Sequence, residues 1–294
     1  MTTATSSFIW SVSSAAATKV WIDAANSLLT TVGLVRTTDT GQLDTTTIVS
    51  TPAANSTIGY HVYKFPDTLQ ATTPIIIRLN YSVNASSLLR INIDVGATTN
   101  GAGTVAVPLL AMAAAANPAS PPATAIPSYA CYIDGTFTMV LGHNFQAGNF
   151  SNNSVAALVV DRARDNTGTA LAAGFLAESP AFSQATSSQS RSLYGAGSPA
   201  TSSAFIPALI PSRNAVGSAD GTNINVFRHY MMVPGVRPSL GALSYFTGEL
   251  AALTPITVPV LGTNHTYLPM GPSMTHWSAA ITPDTTHCCA IRWE

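Results

Sequence analysis

Thirteen carboxylates, six imidazoles and three thiols are the groups in this 294-residue chain that could carry chemistry. Glycoside hydrolysis needs two carboxyls at a fixed separation across the scissile bond. Asp94, Asp134, Asp161 and Glu249 are acids of the right type, but their spacing pairs no two of them. The histidines, His61, His143, His229, His265, His276 and His287, stand far apart, and no two share the helical spacing that aims two ring nitrogens at one metal. Asp39 and Asp44 flank a turn, without the alternating acidic positions and closing Glu of a calcium loop. Residues Gly96 to Gly103 are glycine-rich, yet no Lys-Ser/Thr and no helix follow, so they lack phosphate-loop order. No Gly-x-Ser-x-Gly turn or His-Glu-x-x-His pair occurs either. The expectation is a protein with no catalytic set, no cofactor and no metal.

The thiols add little. Cys131 stands alone, and Cys288 and Cys289 are adjacent, which is not the spacing of a disulfide framework. Three reduced thiols are expected, with one bridge from Cys131 to the terminal pair as the alternative. Arg162, Arg164 and Asp165 crowd one strand end and suggest an exposed ion pair or a subunit contact. Trp277 and Trp293 make the tail more aromatic than a loose terminus needs, so it is expected to lie on its own body or on a neighbour. These five residues are the candidate contact residues.

Composition points the same way. Charged residues are 9% of the chain, against roughly 25% in an average soluble protein. A neutral, hydroxyl-rich surface lacks the charge that keeps monomers apart, and it suits a subunit whose surface is covered by neighbours. The net charge is −1 with no basic run, so direct nucleic-acid binding is not expected. The longest apolar run, Val105 to Ala116, contains Pro108 and is too short to cross a bilayer, so no membrane insertion is expected. The start, Met1 to Trp10, has no basic region followed by an apolar core, so no secretory leader is expected.

The elements that must position any site are mostly strands. Ile75, Ile77, Leu79, Tyr81 and Val83 alternate with Arg78, Asn80 and Ser82, and Leu89, Ile91, Ile93 and Val95 alternate with Arg90, Asn92 and Asp94. Period-two alternation predicts strands with one covered face, and Asn84 to Ser87 suits a hairpin link. Tyr60 to Phe65 is a further strand, closed by Pro66-Asp67, and Phe8 to Val12 is another. Ala15 to Val32 is the one good helix: Trp21, Ala25, Leu28, Leu29 and Val32 share a face, Ser13 or Ser14 can cap it, and Gly33 stands past its end.

Later strands are expected around Phe137–Leu141, Val155–Val160, Ile224–Val233 and Asn264–Gly271. Pro255–Leu261 is expected at a sheet edge, because Pro259 cannot donate to a ladder. The fold class is therefore mainly β, α+β at the N-terminal end, with antiparallel sheets or a sandwich and one amphipathic helix on the N-terminal sheet. The organisation expected is residues 1–115, an Ala/Pro-rich linker at 116–127, and 128–294 with a long flexible insertion at 171–221; one composite domain is the alternative.

Several runs carry a resemblance. Gly33-Leu-Val-Arg-Thr-Thr-Asp-Thr-Gly-Gln42, Tyr60-His-Val-Tyr-Lys-Phe-Pro-Asp-Thr-Leu-Gln70, Pro74-Ile-Ile-Ile-Arg-Leu-Asn-Tyr81 and Val95-Gly-Ala-Thr-Thr-Asn-Gly101 resemble virion structural proteins of tailed double-stranded DNA bacteriophages. Val159-Val-Asp-Arg-Ala-Arg-Asp-Asn-Thr-Gly168 and Thr266-Tyr-Leu-Pro-Met-Gly271 follow in the same order. The resemblance implies a mostly β subunit of the tail, baseplate or fibre, located in the virion and assembled in the host bacterial cytoplasm. Its partners would be other virion proteins and copies of itself in a homo-oligomer, for which closed symmetric rings are the general rule. Two alternatives stand beside it. One is a fibre protein binding a receptor or host-surface glycan through Tyr129, Tyr132, Tyr194 and Trp277; the other is a capsid decoration or head-fibre protein.

Overall fold

In a computed structural model of the chain, the residues described are 2–8, 12–85, 87–106, 110–116, 126–133, 135–141, 156–164, 170–179, 190–195, 198–200, 226–228, 243–247, 255–260, 263–269 and 287–292. The first elements are β1 (Thr2–Phe8), α1 (Ala15–Thr31), β2 (Val35–Arg36), β3 (Thr57–Lys64), β4 (Ile76–Val83) and β5 (Leu89–Gly96). Next come β6 (Thr98–Thr99), β7 (Val105–Ala106), β8 (Leu110–Ala116), β9 (Ile126–Ile133), β10 (Thr136–Leu141) and β11 (Ala156–Arg164). The remainder are β12 (Ala170–Ser179), β13 (Ser190–Gly195), β14 (Ser198–Ala200), β15 (Val226–Arg228), β16 (Leu243–Thr247), β17 (Ile256–Val260), β18 (Thr263–Pro269) and β19 (His287–Arg292). The fold is mainly β, with antiparallel sheets and, among the described residues, one α-helix near the N-terminus.

Strand order explains how the layers meet. One sheet runs β2-β3-β4-β5-β8, a second β1-β9-β10-β11-β12-β13-β14 and a third β15-β16-β19-β18-β17, with β6 and β7 forming a separate ribbon. In the first sheet the alternation predicted for β4 and β5 holds: Ile77, Leu79, Tyr81, Leu89, Ile91, Ile93 and Val95 are buried, and Arg78, Asn80, Ser82, Arg90, Asn92 and Asp94 are only partly covered. Each fully covered Ile or Leu contributes about 1.5–3 kcal/mol by leaving water. Helix α1 lies on that apolar face through Trp21, Ile22, Leu28 and Leu29. Phe137, Met139, Leu141, Leu158 and Val160 of the second sheet belong to the same core. The helix is thus shared by two sheets.

Helix boundaries follow local chemistry. The Ser14 side chain accepts from the Ala17 N–H at 3.1 Å, so Ser14 is the cap. At the other end Gly33 takes φ +98°, and the Leu34 N–H returns to the Leu29 carbonyl at 3.1 Å.

Four expectations need correction or refinement. A strand forms at Thr2–Phe8, where hydroxyl-bearing residues are held by pairing with β9 along their whole length, and residues 9–11 of the expected Phe8–Val12 strand lie outside the described residues. Within the stretch expected as a long flexible insertion at 171–221, residues 171–179, 190–195 and 198–200 belong to β12, β13 and β14 of the second sheet, and the rest lies outside the described residues. The small Ala, Gly and Ser side chains of these strands hide the alternation while leaving the backbone free to pair. Asn264–Gly271 does not hold the last strand: β19 follows and lies between β16 and β18. Strand pairing also crosses the expected linker, since β1 pairs with β9; residues 117–125 of that linker lie outside the described residues. As expected, β17 with Pro259 stands at a sheet edge.

Candidate functional site

Three polar clusters collect most of the chemistry-bearing side chains among the described residues. The first joins two loops at one end of the first sheet. Gln42 is its hub: its Nε2 donates to the Thr37 carbonyl at 2.7 Å, and its Oε1 accepts from the Val62 N–H at 2.9 Å and from Arg36 Nε at 3.1 Å. The glycine-rich loop between β6 and β7 docks on this turn. Thr40 N–H donates to the Gly101 carbonyl at 2.8 Å, and Gly103 N–H donates to Asp39 Oδ2 at 2.9 Å. Tyr60 stands between the loops, its hydroxyl 2.6 Å from the Thr40 carbonyl and 2.9 Å from that of Ala102. The Arg78 guanidinium covers the Tyr60 ring at 4.6 Å. Gly103 has φ +81°, and a Cβ there would overlap the ring of Tyr60, so the close approach requires glycine.

The second cluster lies under α1. His61 is buried, with Nε2 3.0 Å from the Leu43 carbonyl and Nδ1 3.3 Å from the hydroxyls of both Tyr63 and Tyr81. Tyr63 donates in turn to Asn26 Oδ1 on the helix at 2.8 Å. Burial pushes the imidazole down to about 4, against the Leu43 carbonyl, which favours the charged ring. Burial pushes the Tyr63 and Tyr81 phenols up. All three groups are neutral at pH 7.

The third cluster ties the first sheet to the second. Arg162 Nε and Nη2 grip Asp67 Oδ2 and Oδ1 at 2.7 and 2.6 Å, and Nη1 donates to the Thr73 carbonyl at 2.6 Å. Tyr132 donates to Asp67 Oδ2 at 2.6 Å, and the guanidinium sits 5.5 Å from the Phe65 ring centre. Burial alone would raise the Asp67 carboxyl. Hydrogen bonds from Arg162 and Tyr132, with the Arg162 charge, outweigh it and hold the group below the ordinary carboxylate range. A fork-to-carboxylate pair of this kind is both strong and directional.

The sequence-predicted residues are thereby distributed. Arg162 is not part of an exposed ion pair: it is 2% exposed, and its guanidinium is committed inside the chain. The correction has a simple cause, since the partner Asp67 lies 95 positions away and leaves no local signal. Arg164 ends β11, while Asp165, Trp277 and Trp293 lie outside the described residues. Of the aromatic residues considered for a glycan site, Tyr129 is buried at 8% exposure and Tyr132 is bound to Asp67. Tyr129 therefore offers no open stacking face, and the Tyr132 hydroxyl is committed within the chain. Tyr194 lies on β13, in the second sheet.

The candidate acids are also engaged. Asp94 accepts from Asn80 Nδ2 at 2.8 Å with Arg78 at 3.7 Å, and Asp161 accepts from Thr136 Oγ1 at 2.7 Å. Asp134 and Glu249 lie outside the described residues. Asp39 and Asp44 serve as turn holders, the latter accepting from Thr46 N–H at 2.9 Å. Among the described residues no group of three His, Cys, Asp or Glu side chains gathers to hold a metal ion. Cys131 is buried in β9 as a thiol. No helix among the described residues is long and apolar enough to cross a membrane.

Every carboxylate located in these clusters accepts hydrogen bonds within the fold and ties chain segments together. No protein-family model, curated protein or solved structure matches the chain.

Proposed function

We propose that the chain is a structural subunit of a tailed bacteriophage particle, in the tail, baseplate or fibre, and that it acts through subunit contacts. One observation carries the reading: the separate runs that resemble virion proteins bond to one another. Thr40 of the first run binds Gly101 of the fourth, Gln42 of the first binds Val62 of the second, and Asp67 of the second binds Arg162 of the fifth. Strand pairing joins the third run to the second as well, so the five runs between Gly33 and Gly168 fall on one connected scaffold. The low charge of the chain supports the same reading, because a weakly charged surface suits burial against neighbours.

On this view the scaffold keeps loops and edge strands in fixed positions, and neighbouring subunits pack on them. Copies of the chain and other virion proteins are the partners proposed. Particles purified from a lysate of the producing host, analysed by mass spectrometry and labelled with antibody for electron microscopy, test it. Label at the tail or baseplate is the expected result. Label confined to heads would favour a decoration role, and absence of the chain from mature particles would overturn the proposal.

A further inference from the structure

Asn100 is followed by Gly101, and Asn-Gly occurs once in the chain. The pair sits in the loop between β6 and β7, where both residues are exposed. The chemistry open to such a pair is internal. The glycine nitrogen can attack the carboxamide carbon of the residue before it and close a five-membered imide.

Three features of the loop favour that step. The Asn100 carboxamide oxygen Oδ1 accepts from the Ala102 N–H at 2.9 Å and from the Thr104 N–H at 3.0 Å. Two donors on one carbonyl oxygen draw electrons from Cγ and stabilise the oxyanion that forms when Cγ is attacked. Nδ2, the group that must leave, has no partner among the described residues. Gly101 has no side chain to hinder the attack, and nothing stands within 4 Å of where a Cβ would be. Its N–H gives up only one long bond, to Thr99 Oγ1 at 3.3 Å.

We propose that Asn100 is a self-modification site, converted through an imide with Gly101 to aspartate or isoaspartate, and that the isoaspartyl form undocks the β6–β7 loop. The proposal stands independently of the function proposed above. The step balances with water alone. The Gly101 nitrogen loses its proton to hydroxide and bonds to Cγ; the Cγ–Nδ2 bond breaks, and Nδ2 takes a proton from water and leaves as ammonia. Water then opens the imide. Attack at Cγ restores the main chain and leaves aspartate at position 100. Attack at the main-chain carbonyl carbon routes the chain through Cβ and Cγ and leaves isoaspartate. Nothing is oxidised or reduced.

The two products act differently on the fold. Aspartate keeps an acceptor oxygen for Ala102 and Thr104, now charged and stronger. Isoaspartate adds one carbon to the main chain, a displacement of about 1.5 Å. The docking bonds come directly after that point. The Gly101 carbonyl accepts from Thr40 N–H at 2.8 Å and from Thr40 Oγ1 at 3.2 Å. The Ala102 carbonyl accepts from the Tyr60 hydroxyl at 2.9 Å, and Gly103 N–H donates to Asp39 Oδ2 at 2.9 Å. The loop has no slack for the extra atom, because Asn100 N–H bonds the Thr104 carbonyl at 3.0 Å across its neck. A shift of that size carries the docking bonds past the distance at which they hold.

The full chain, aged in mildly alkaline buffer beside a synthetic peptide of residues 96–106, tests this by peptide mapping and isoaspartyl methyltransferase labelling. Asn100 should gain the mass of an acid in the folded chain, part of it as labelled isoaspartate, and faster as hydroxide rises. Hydrogen exchange should show the Thr40 and Gly103 amides losing protection by roughly tenfold or more in the isoaspartyl fraction, since more than one bond is lost. Asn100→Asp should keep that protection. A folded chain still unmodified when the peptide has converted overturns the proposal, as does an isoaspartyl fraction with Thr40 and Gly103 still protected. Aspartate alone, with no isoaspartyl fraction, overturns the release. These readouts use the wild-type chain, so none depends on a variant folding.

Discussion

Removing Asp67 should cost more than removing Arg162, although the two share one ion pair. Their exposures are unequal: the Arg162 side chain is 1% exposed and that of Asp67 23%. In Asp67→Asn the guanidinium keeps its shape and neighbours but stays buried with no countercharge. Breaking a buried pair in this way costs about 3–5 kcal/mol. In Arg162→Met the carboxylate left behind can rehydrate through its open side and keeps the Tyr132 hydroxyl, so the loss should be ~2–3 kcal/mol, within the range for lost charged hydrogen bonds. The double variant Asp67→Asn with Arg162→Met removes both charges and should recover part of the loss. Urea unfolding of the four proteins, with equal slopes required for the comparison, gives the full cycle. A cost below about 1 kcal/mol for Asp67→Asn, or a larger cost for Arg162→Met, would refute the argument that the buried partner sets the penalty.

Further outcomes follow from the other clusters. Stability should fall between about pH 6.5 and 4 as the unfolded chain takes up a proton that buried His61 resists, by at most about 3 kcal/mol. A separate loss below the ordinary carboxylate range should follow as Asp67, whose carboxyl is held low when folded, takes up its proton; urea midpoints against pH will show whether the two windows exist. Gly103→Ala forces a side chain at φ +81° into the Tyr60 ring and should cost ~2–3 kcal/mol, partly restored by Tyr60→Ser; thermal melts of both variants check it. Thr138 is buried with an unpartnered Oγ1, so Thr138→Val should be neutral or stabilising by up to ~1 kcal/mol, and a clear loss in a urea titration would contradict that. Ser14→Ala should lower stability by ~1 kcal/mol through loss of the helix cap, seen as a shifted urea midpoint with unchanged slope.

What was legible in the residues was whatever depends on near neighbours. Strands β4 and β5 announced themselves because Ile, Leu and Val alternate with Arg, Asn and Asp, and pairing places Arg78 opposite Asp94 and Asn80 opposite Asn92. Helix α1 was equally clear, since its apolar stripe, its Ser cap and Gly33 are all local. The clusters were not legible, because each joins segments far apart in the chain. Asp67 looked like a turn residue after Pro66, and only the fold brings Arg162 to it. His61 looked like any isolated histidine until β3, β4 and α1 enclosed it. Strands β12 to β14 escaped for another reason: Ala, Gly and Ser give little contrast between the two faces of a strand.

Sharing α1 between two sheets has a consequence for how the chain matures during synthesis. The helix and the strands β2 to β5 leave the ribosome first, but part of their cover, Phe137, Met139, Leu141, Leu158 and Val160, comes later. The first strand waits as well, for its partner Ile126–Ile133. The Asp67 carboxylate has no Arg162 to bind until more than 90 further residues are made. Long-range closures of this type are slow, and apolar surface stays open in the interval. A nascent chain halted before β11 should therefore be a client for chaperones, although it already holds all of the helix and the sheet beneath it. Maturation depends less on the order in which elements appear than on the arrival of the segment that locks them.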